Sequence, residues 1–206
     1  MRYAPEHNKE TRERILEAAS RLFREDGIAA VGLAKIMAEA DLTVGTFYTH
    51  FKSKEALLRE TLHRALRSRH AELEQALHGG DLEVAIRAYL SPEHRDAPGI
   101  GCPTAALASE LARHPRATRR TFASNTEPSL EMLAEALSKR RGKNVGRADA
   151  AAFLGLLVGT LQLARATPDR AASDAILEAG IRAALRLAPR HDDRPSTEKP
   201  RGRHST

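Results

Sequence analysis

Residues 41–58 read DLTVGTFYTHFKSKEALL, and the fold follows from how this stretch divides its side chains. At roughly 100° per residue on a helical wheel, Phe47 and Phe51 share one face as an i, i+4 pair, with Val44 beside them. Gly45, Thr46 and Thr49 lie opposite, and Tyr48 and His50 occupy the flanks. One face is apolar enough to dock on a small core. The other is small and polar without a carboxylate, which suits close approach to an anionic surface such as DNA. An aromatic patch that only builds core gives the same wheel, so the flanking segments must decide between the two.

Upstream, residues 1–8 read as a loose polar arm. A helix is expected from about Lys9 to Glu25, with Ile15, Ala18, Ala19, Leu22 and Phe23 as its buried stripe and Gly27 as its left-handed stop. A second helix, about Leu33 to Ala40, carries Leu33, Ile36 and Met37 on one face, with Gly32 as its best available cap. The turn Ala40-Asp41-Leu42-Thr43 follows. Asp41 can take a positive φ there, and Thr43 is placed to cap the short helix Val44–His50. Two helices joined by so tight a turn form a helix-turn-helix.

Downstream, Ser53 caps a long helix reaching about His78, which Gly79-Gly80 stops. Asp81 caps a short helix through Leu90, and Ser91 to Gly101 is a Pro- and Gly-rich loop. Cys102 and Pro103 open the sixth predicted helix, which runs to Arg113. Another runs from Pro115 to Arg140 with a possible kink at Pro128. Two last helices span about Arg147–Ala166 and Pro168–Leu187. The fold class is all-α, with about nine helices. Its expected parts are a helix-turn-helix domain over 1–52, a helical ligand-binding and dimerisation domain over 53–188, and a disordered basic tail over 189–206.

Composition agrees with a helical chain: Ala, Leu, Arg and Glu abound, Trp is absent, and alternating apolar patterns are missing. The formal charge of +6 suggests a polyanion partner. Residues 1–60 are nonetheless balanced in Lys/Arg against Asp/Glu, and the positive excess lies mainly between Arg113 and Lys143 and in the tail. Bulk charge therefore does not locate a DNA site. The single cysteine, Cys102, excludes an intramolecular disulfide and a cysteine-based zinc cluster. His63 and His70 share a helix face but stand about 10 Å apart, too far to chelate one ion; no metal and no cofactor are expected. Walker, dinucleotide, H-E-x-x-H and nucleophile-elbow motifs are all missing, so an enzyme is not expected. There is no N-terminal apolar h-region, and no uninterrupted apolar run reaches ~18 residues, so the expectation is a soluble, cytoplasmic protein without membrane contact.

Three short helices, a long connecting helix that opens FKSKEALL, and five or six further helices resemble the TetR/AcrR family of transcriptional regulators. The resemblance is strongest over residues 15–58, including RLFREDG and TFYTHFKSKEALL; beyond them it rests on helix number and spacing. The segment GCPTAALASELAR is similar to a subgroup with a Gly-Cys pair at the start of the sixth helix. Asp41, where the family usually has Gly, and Gly32, where it has Thr or Ser, are departures.

The resemblance implies a homodimeric repressor that leaves a palindromic operator when a small molecule or electrophile binds. Its expected DNA-binding residues are Thr43, Val44, Gly45 and Thr46 toward bases, and Tyr48, His50 and Lys54 toward phosphates. Phe47 and Phe51 are core. Expected ligand-binding residues, from apolar placement, are Leu66, Tyr89, Leu107, Phe122, Phe153 and Leu157. Cys102, at a helix start that would stabilise a thiolate, is either a redox or electrophile sensor or a small buried residue. The homodimer is expected through the last two helices, where Gly155 and Gly159 permit close approach. A helical protein-interaction module without DNA binding is the competing class.

Overall fold

The computed structural model describes residues 5–78 and 81–190. Ten helices follow in order: α1 Pro5–Asp26, α2 Leu33–Glu39, α3 Val44–His50, α4 Lys54–His78, α5 Leu82–Tyr89, α6 Pro92–Asp96, α7 Pro103–Leu111, α8 Arg116–Arg141, α9 Arg147–Ala166 and α10 Arg170–Leu187. The nine expected helices are all present. The tenth, α6, is a five-residue helix inside the expected Ser91–Gly101 loop. Ser91 Oγ accepts the His94 N–H there and Pro92 occupies its first turn, a start signal that the neighbouring prolines and glycines mask.

Helix α1 begins at Pro5, so part of the expected loose arm is helical; residues 1–4 and the basic tail from 191 onward lie outside the described residues. Gly27, at φ 86°, ends α1, and Asp41 is the one described non-glycine residue with positive φ, at 54°. The Asp41 N–H donates to Ala38 O and the Leu42 N–H to Met37 O, at 3.0 and 2.8 Å. That pair of bonds is a Schellman stop, which needs a left-handed residue where Asp41 stands. The Arg14 guanidinium holds the turn from outside, on the Ala40 carbonyl and near the Asp41 carboxylate. At the other end of the turn, the Thr43 side chain does not cap α3 as expected; its Oγ1 lies 3.1 Å from Thr46 Oγ1.

Apolar side chains gather in two cores. The first joins Ile15, Leu16, Leu22 and Phe23 of α1, Ile36 and Met37 of α2, and Phe47 and Phe51 with Leu57, Leu58 and Leu62 of α4. Leu107 and Leu111 of α7 belong to it too, with Phe122 packed alongside. The second joins Leu82, Ile86 and Tyr89 of α5, Leu133 and Leu137 of α8, Phe153, Leu157 and Leu161 of α9, and Leu177, Ile181 and Ala184 of α10. Helices α4 and α7 thus run from one core to the edge of the other.

Helix α9 is long and apolar enough to cross a membrane by length and composition, but here it packs against α8 and α10. Its contact with α10 depends on Gly180: a Cβ there would stand 2.3 Å from a methyl carbon of Thr160. Gly155 and Gly159 instead face open space. They take no part in helix approach within the chain.

Candidate nucleic-acid interface and internal cavity

Phe47 anchors α3. It is fully buried, stacked on Phe51 at 5.7 Å between ring centroids and meeting Tyr48 edge-on at 5.2 Å. The Arg12 guanidinium covers the Phe51 ring at 4.7 Å while pairing with Glu60 of α4. With Phe47 and Phe51 held down, the rest of the helix is presented outward: Tyr48 is 65% exposed, and Thr43, Gly45 and Thr49 are also exposed. Val44, expected beside the two phenylalanines, is instead 43% exposed, because it stands in the first turn beyond the edge of the core. Thr46 is half-buried and its carbonyl accepts the Thr49 hydroxyl at 2.7 Å.

His50 is half-buried on the flank, and burial, with the Arg12 charge second, pushes its pKa down. A neutral imidazole keeps one N–H to donate. Lys54 is less free than expected: its Nζ donates to the Ile28 carbonyl at 2.6 Å and lies 5.9 Å from the Phe23 ring centre. An ammonium has three protons, so two donors remain for an outside partner. Six of the seven expected DNA-facing residues therefore lie on or at the mouth of α3, and Lys54 sits beside them tethered at one corner.

The second site is a cavity of about 650 Å³. Its apolar lining includes Leu66 and Leu73 of α4, Ile86 and Tyr89 of α5, and Phe153 and Leu157 of α9. Four of the six expected ligand-binding residues are there. Leu107 and Phe122 are not; both sit with the first core, because the sides of α7 and α8 that carry them turn toward α1 and α4. Sequence periodicity marks such residues as buried without saying in which core.

Residues 97–102 and α6 close one side of the cavity. His94 was not expected to matter, and it organises this wall. Its Nδ1 donates to the Tyr89 carbonyl at 2.6 Å, and its Nε2 accepts the Cys102 N–H at 3.0 Å. This pairing requires the neutral ring, and burial lowers the His94 pKa to about 4. Gly101 leaves the room: a Cβ there would stand 2.9 Å from the imidazole. Arg165 of α9 holds the same segment through the His94 and Arg95 carbonyls, at 2.8 and 3.0 Å. Arg95, itself buried, pairs with Asp96 and Asp174 and donates to Ser173.

Cys102 lines the cavity and is buried, at the N-cap position of α7. Its side chain makes no capping hydrogen bond to the first N–H groups of that helix. Beside it the Tyr89 hydroxyl is buried and makes no hydrogen bond of good geometry; burial, and then the adjoining Cys102 sulfur through its charge and its contact with the hydroxyl, push the phenol well above its ordinary value. Among the described residues no cluster of three His, Cys, Asp or Glu side chains stands ready for a metal ion.

An N-terminal helix-turn-helix thus precedes a larger helical body with an internal cavity. Residues 15–61 match the model of the bacterial regulatory proteins of the tetR family. A stretch of 49 residues is 49% identical to YerO of Bacillus subtilis, an HTH-type transcriptional regulator; that match covers 24% of this chain and 17% of the relative. The chain spans less than a third of the length of the curated relatives it matches. The whole fold is similar to the reduced form of E. coli NemR, with TM-score 0.72 at 22% identity, covering 87% of this chain and 98% of that one. It is also similar to SCO4454 of Streptomyces coelicolor, a TetR-family transcriptional regulator, with TM-score 0.64 at 27% identity over 87% and 96%.

Proposed function

We propose that the protein is a homodimeric repressor that binds a palindromic operator through α3 and releases it when a small molecule occupies the cavity. The observation that carries this reading is the division of α3. Phe47 and Phe51 hold the helix down, and Val44, Gly45 and Tyr48 stand out beside a surface on which Arg12, Arg14, Arg21, Lys35 and Arg64 are engaged in ion pairs. A short helix presented this way fits a major groove, with Val44 and Thr46 against thymine methyls and Tyr48, His50 and Lys54 toward phosphates.

One short helix reads few base pairs, so two copies are needed, about one helical turn or 34–36 Å apart. The outward side of α9 suits that pairing. Ala151, Ala152, Gly155 and Leu163 are exposed there, and Leu154, Leu156, Val158 and Gly159 are partly so. The open space at Gly155 and Gly159 leaves room for a partner helix to approach closely.

The cavity sets the chemistry of the effector. Its walls are mainly apolar, its histidine is neutral, and its Arg69 is paired with Glu72. The Tyr89 hydroxyl offers one hydrogen bond. The effector is therefore an uncharged, largely apolar molecule with an acceptor oxygen. A thiol at the same wall supports a second reading, in which an electrophile that enters the cavity adds to Cys102.

Release follows if the effector prefers an arrangement with a different α3 spacing by a few kcal/mol. Helix α4 links the cavity at Leu66 to Lys54. The wall itself offers another link. Gly99 O accepts from Arg24 Nε of α1 at 2.7 Å, and the Glu110 carboxylate of α7 accepts the Ile28 and Ala29 N–H groups. The test is a mobility-shift titration on the DNA upstream of the chain's own gene, with Tyr48→Phe as the variant. Loss of affinity in the variant supports the reading, and an unshifted wild type at low salt refutes it.

A further inference from the structure

Around α3 most of the arginines are engaged, while Lys9 and Lys52 are exposed outside these pairs. Arg12 is paired with Glu60, Arg14 lies against Asp41, Arg21 pairs with Glu25 and Glu39, Lys35 with Asp26, and Arg64 with Glu13. Arg24 and Lys54 are each held on a backbone carbonyl. A protein that holds a DNA backbone needs free positive charge somewhere.

Beyond Lys9 and Lys52, the exposed side chains of Arg113, Arg116, Arg119 and Arg120 supply a cluster of it. Between Glu110 and Glu127 the chain has no Asp or Glu. Those two acids are engaged elsewhere, Glu110 with the Ile28 and Ala29 N–H groups and Glu127 with Arg147. Arg116 opens α8, whose first turn carries no acid to offset it. Cations at a helix N-terminus oppose the helix dipole, so the arrangement is unfavourable for the fold and adds to the positive field outside it.

Position links this cluster to the α3 surface. Glu55, the residue after Lys54, lies 3.2 Å from His114 Nδ1 and accepts the Thr118 hydroxyl. Two residues of α7–α8 are thereby fastened to the first turn of α4, and the arginines flank the fastening on both sides.

We infer that Arg113, Arg116, Arg119 and Arg120 form a second DNA contact, outside the helix-turn-helix, that binds backbone phosphates flanking the segment read by α3. The contact is independent of sequence and acts through charge. This rests on the reading of the protein as a DNA binder.

The test is the salt dependence of binding to duplex DNA from upstream of the chain's own gene. It compares wild type with Arg116→Gln/Arg119→Gln/Arg120→Gln, and with Lys139→Gln/Lys143→Gln at the far end of α8 as a charge control. Each phosphate contact contributes about 0.9 to the slope of log K against log salt. Three lost contacts on each of two subunits predict a slope shallower by up to about 5, with the control unchanged. Shortening the duplex at its ends should weaken wild type and leave the triple variant unaffected. A triple variant with the wild-type slope, or a control that falls equally, overturns the inference while leaving DNA binding by α3 in place. A wild type that binds no DNA overturns the underlying reading instead. Matching thermal unfolding of the variants ties any change to the surface and not to the fold.

Discussion

The carboxylate of Glu110 accepts the backbone N–H of Ile28 at 3.2 Å and of Ala29 at 3.0 Å, joining α7 to the turn between α1 and α2 across 82 residues of chain. Because α7 begins at the cavity wall and Ile28 also receives Lys54 on its carbonyl, this one carboxylate lies between the cavity and the elements proposed to face DNA. Glu110→Ala leaves two backbone donors without their acceptor, at about 1–3 kcal/mol. The expected fall in Tm is roughly 3–9 °C. In a DNA-release titration the variant should bind effector as wild type does but need more of it to leave the operator. Unchanged release would remove α7 from the route.

Neutral His94 makes stability depend on pH. Its pKa in the folded protein, about 4, lies below the ordinary 6.5. The unfolded chain therefore takes up a proton first as pH falls, and the stability that the neutral ring contributes is present above pH 6.5 and lost between 6.5 and about 4. Thermal unfolding across that window should show Tm falling with pH. His94→Leu should be less stable at pH 7.5, by about 1–3 kcal/mol for the two lost hydrogen bonds, and should show a flatter decline. A His94→Leu profile parallel to wild type would contradict the assignment.

Tyr89→Phe separates fold from ligand. The buried hydroxyl makes no hydrogen bond of good geometry, so its removal should leave Tm unchanged or raise it slightly. Affinity for an effector with an acceptor oxygen should drop about five- to tenfold, one neutral hydrogen bond of about 1 kcal/mol or a little more. Calorimetric titration reads the second effect and thermal unfolding the first.

The two kinds of glycine in the last helices predict opposite outcomes. Gly180→Ala forces the new methyl into Thr160 and should destabilise the chain by about 1–3 kcal/mol. Gly155→Ala meets nothing within 4 Å and should favour the helix by up to about 1 kcal/mol within one subunit. If α9 pairs closely with a second copy, Gly155→Ala should also weaken the dimer in sedimentation equilibrium. A dimer that tolerates Gly155→Ala unchanged would place the interface elsewhere.

The buried side of α3 was legible in residues 41–58 because one period governs it: the spacing of Phe47 and Phe51 both forms the helix and fixes the side it buries, although Val44, read beside them, is exposed. The left-handed turn at Asp41 was legible for the same local reason. Contacts between distant segments were not. Nothing near Lys54 points to the Ile28 carbonyl, and nothing near Glu110 points to the Ile28 N–H. Leu107 and Phe122 were correctly apolar and wrongly placed, because helices that serve two cores carry buried residues for both. His94 escaped notice since its role comes from two backbone groups, on Tyr89 and Cys102, that any residues in those positions supply.

Held down by Phe47, α3 is proposed to present Tyr48 to a DNA phosphate. Fluorescence anisotropy with duplex DNA from upstream of the chain's own gene tests it directly, with wild type and Tyr48→Phe at the same low salt. Loss of a hydrogen bond to a charged phosphate is worth about 1.5–3 kcal/mol, so Tyr48→Phe should bind at least tenfold more weakly with its Tm unchanged. Equal affinity of the two proteins, or no binding by wild type, would contradict the account.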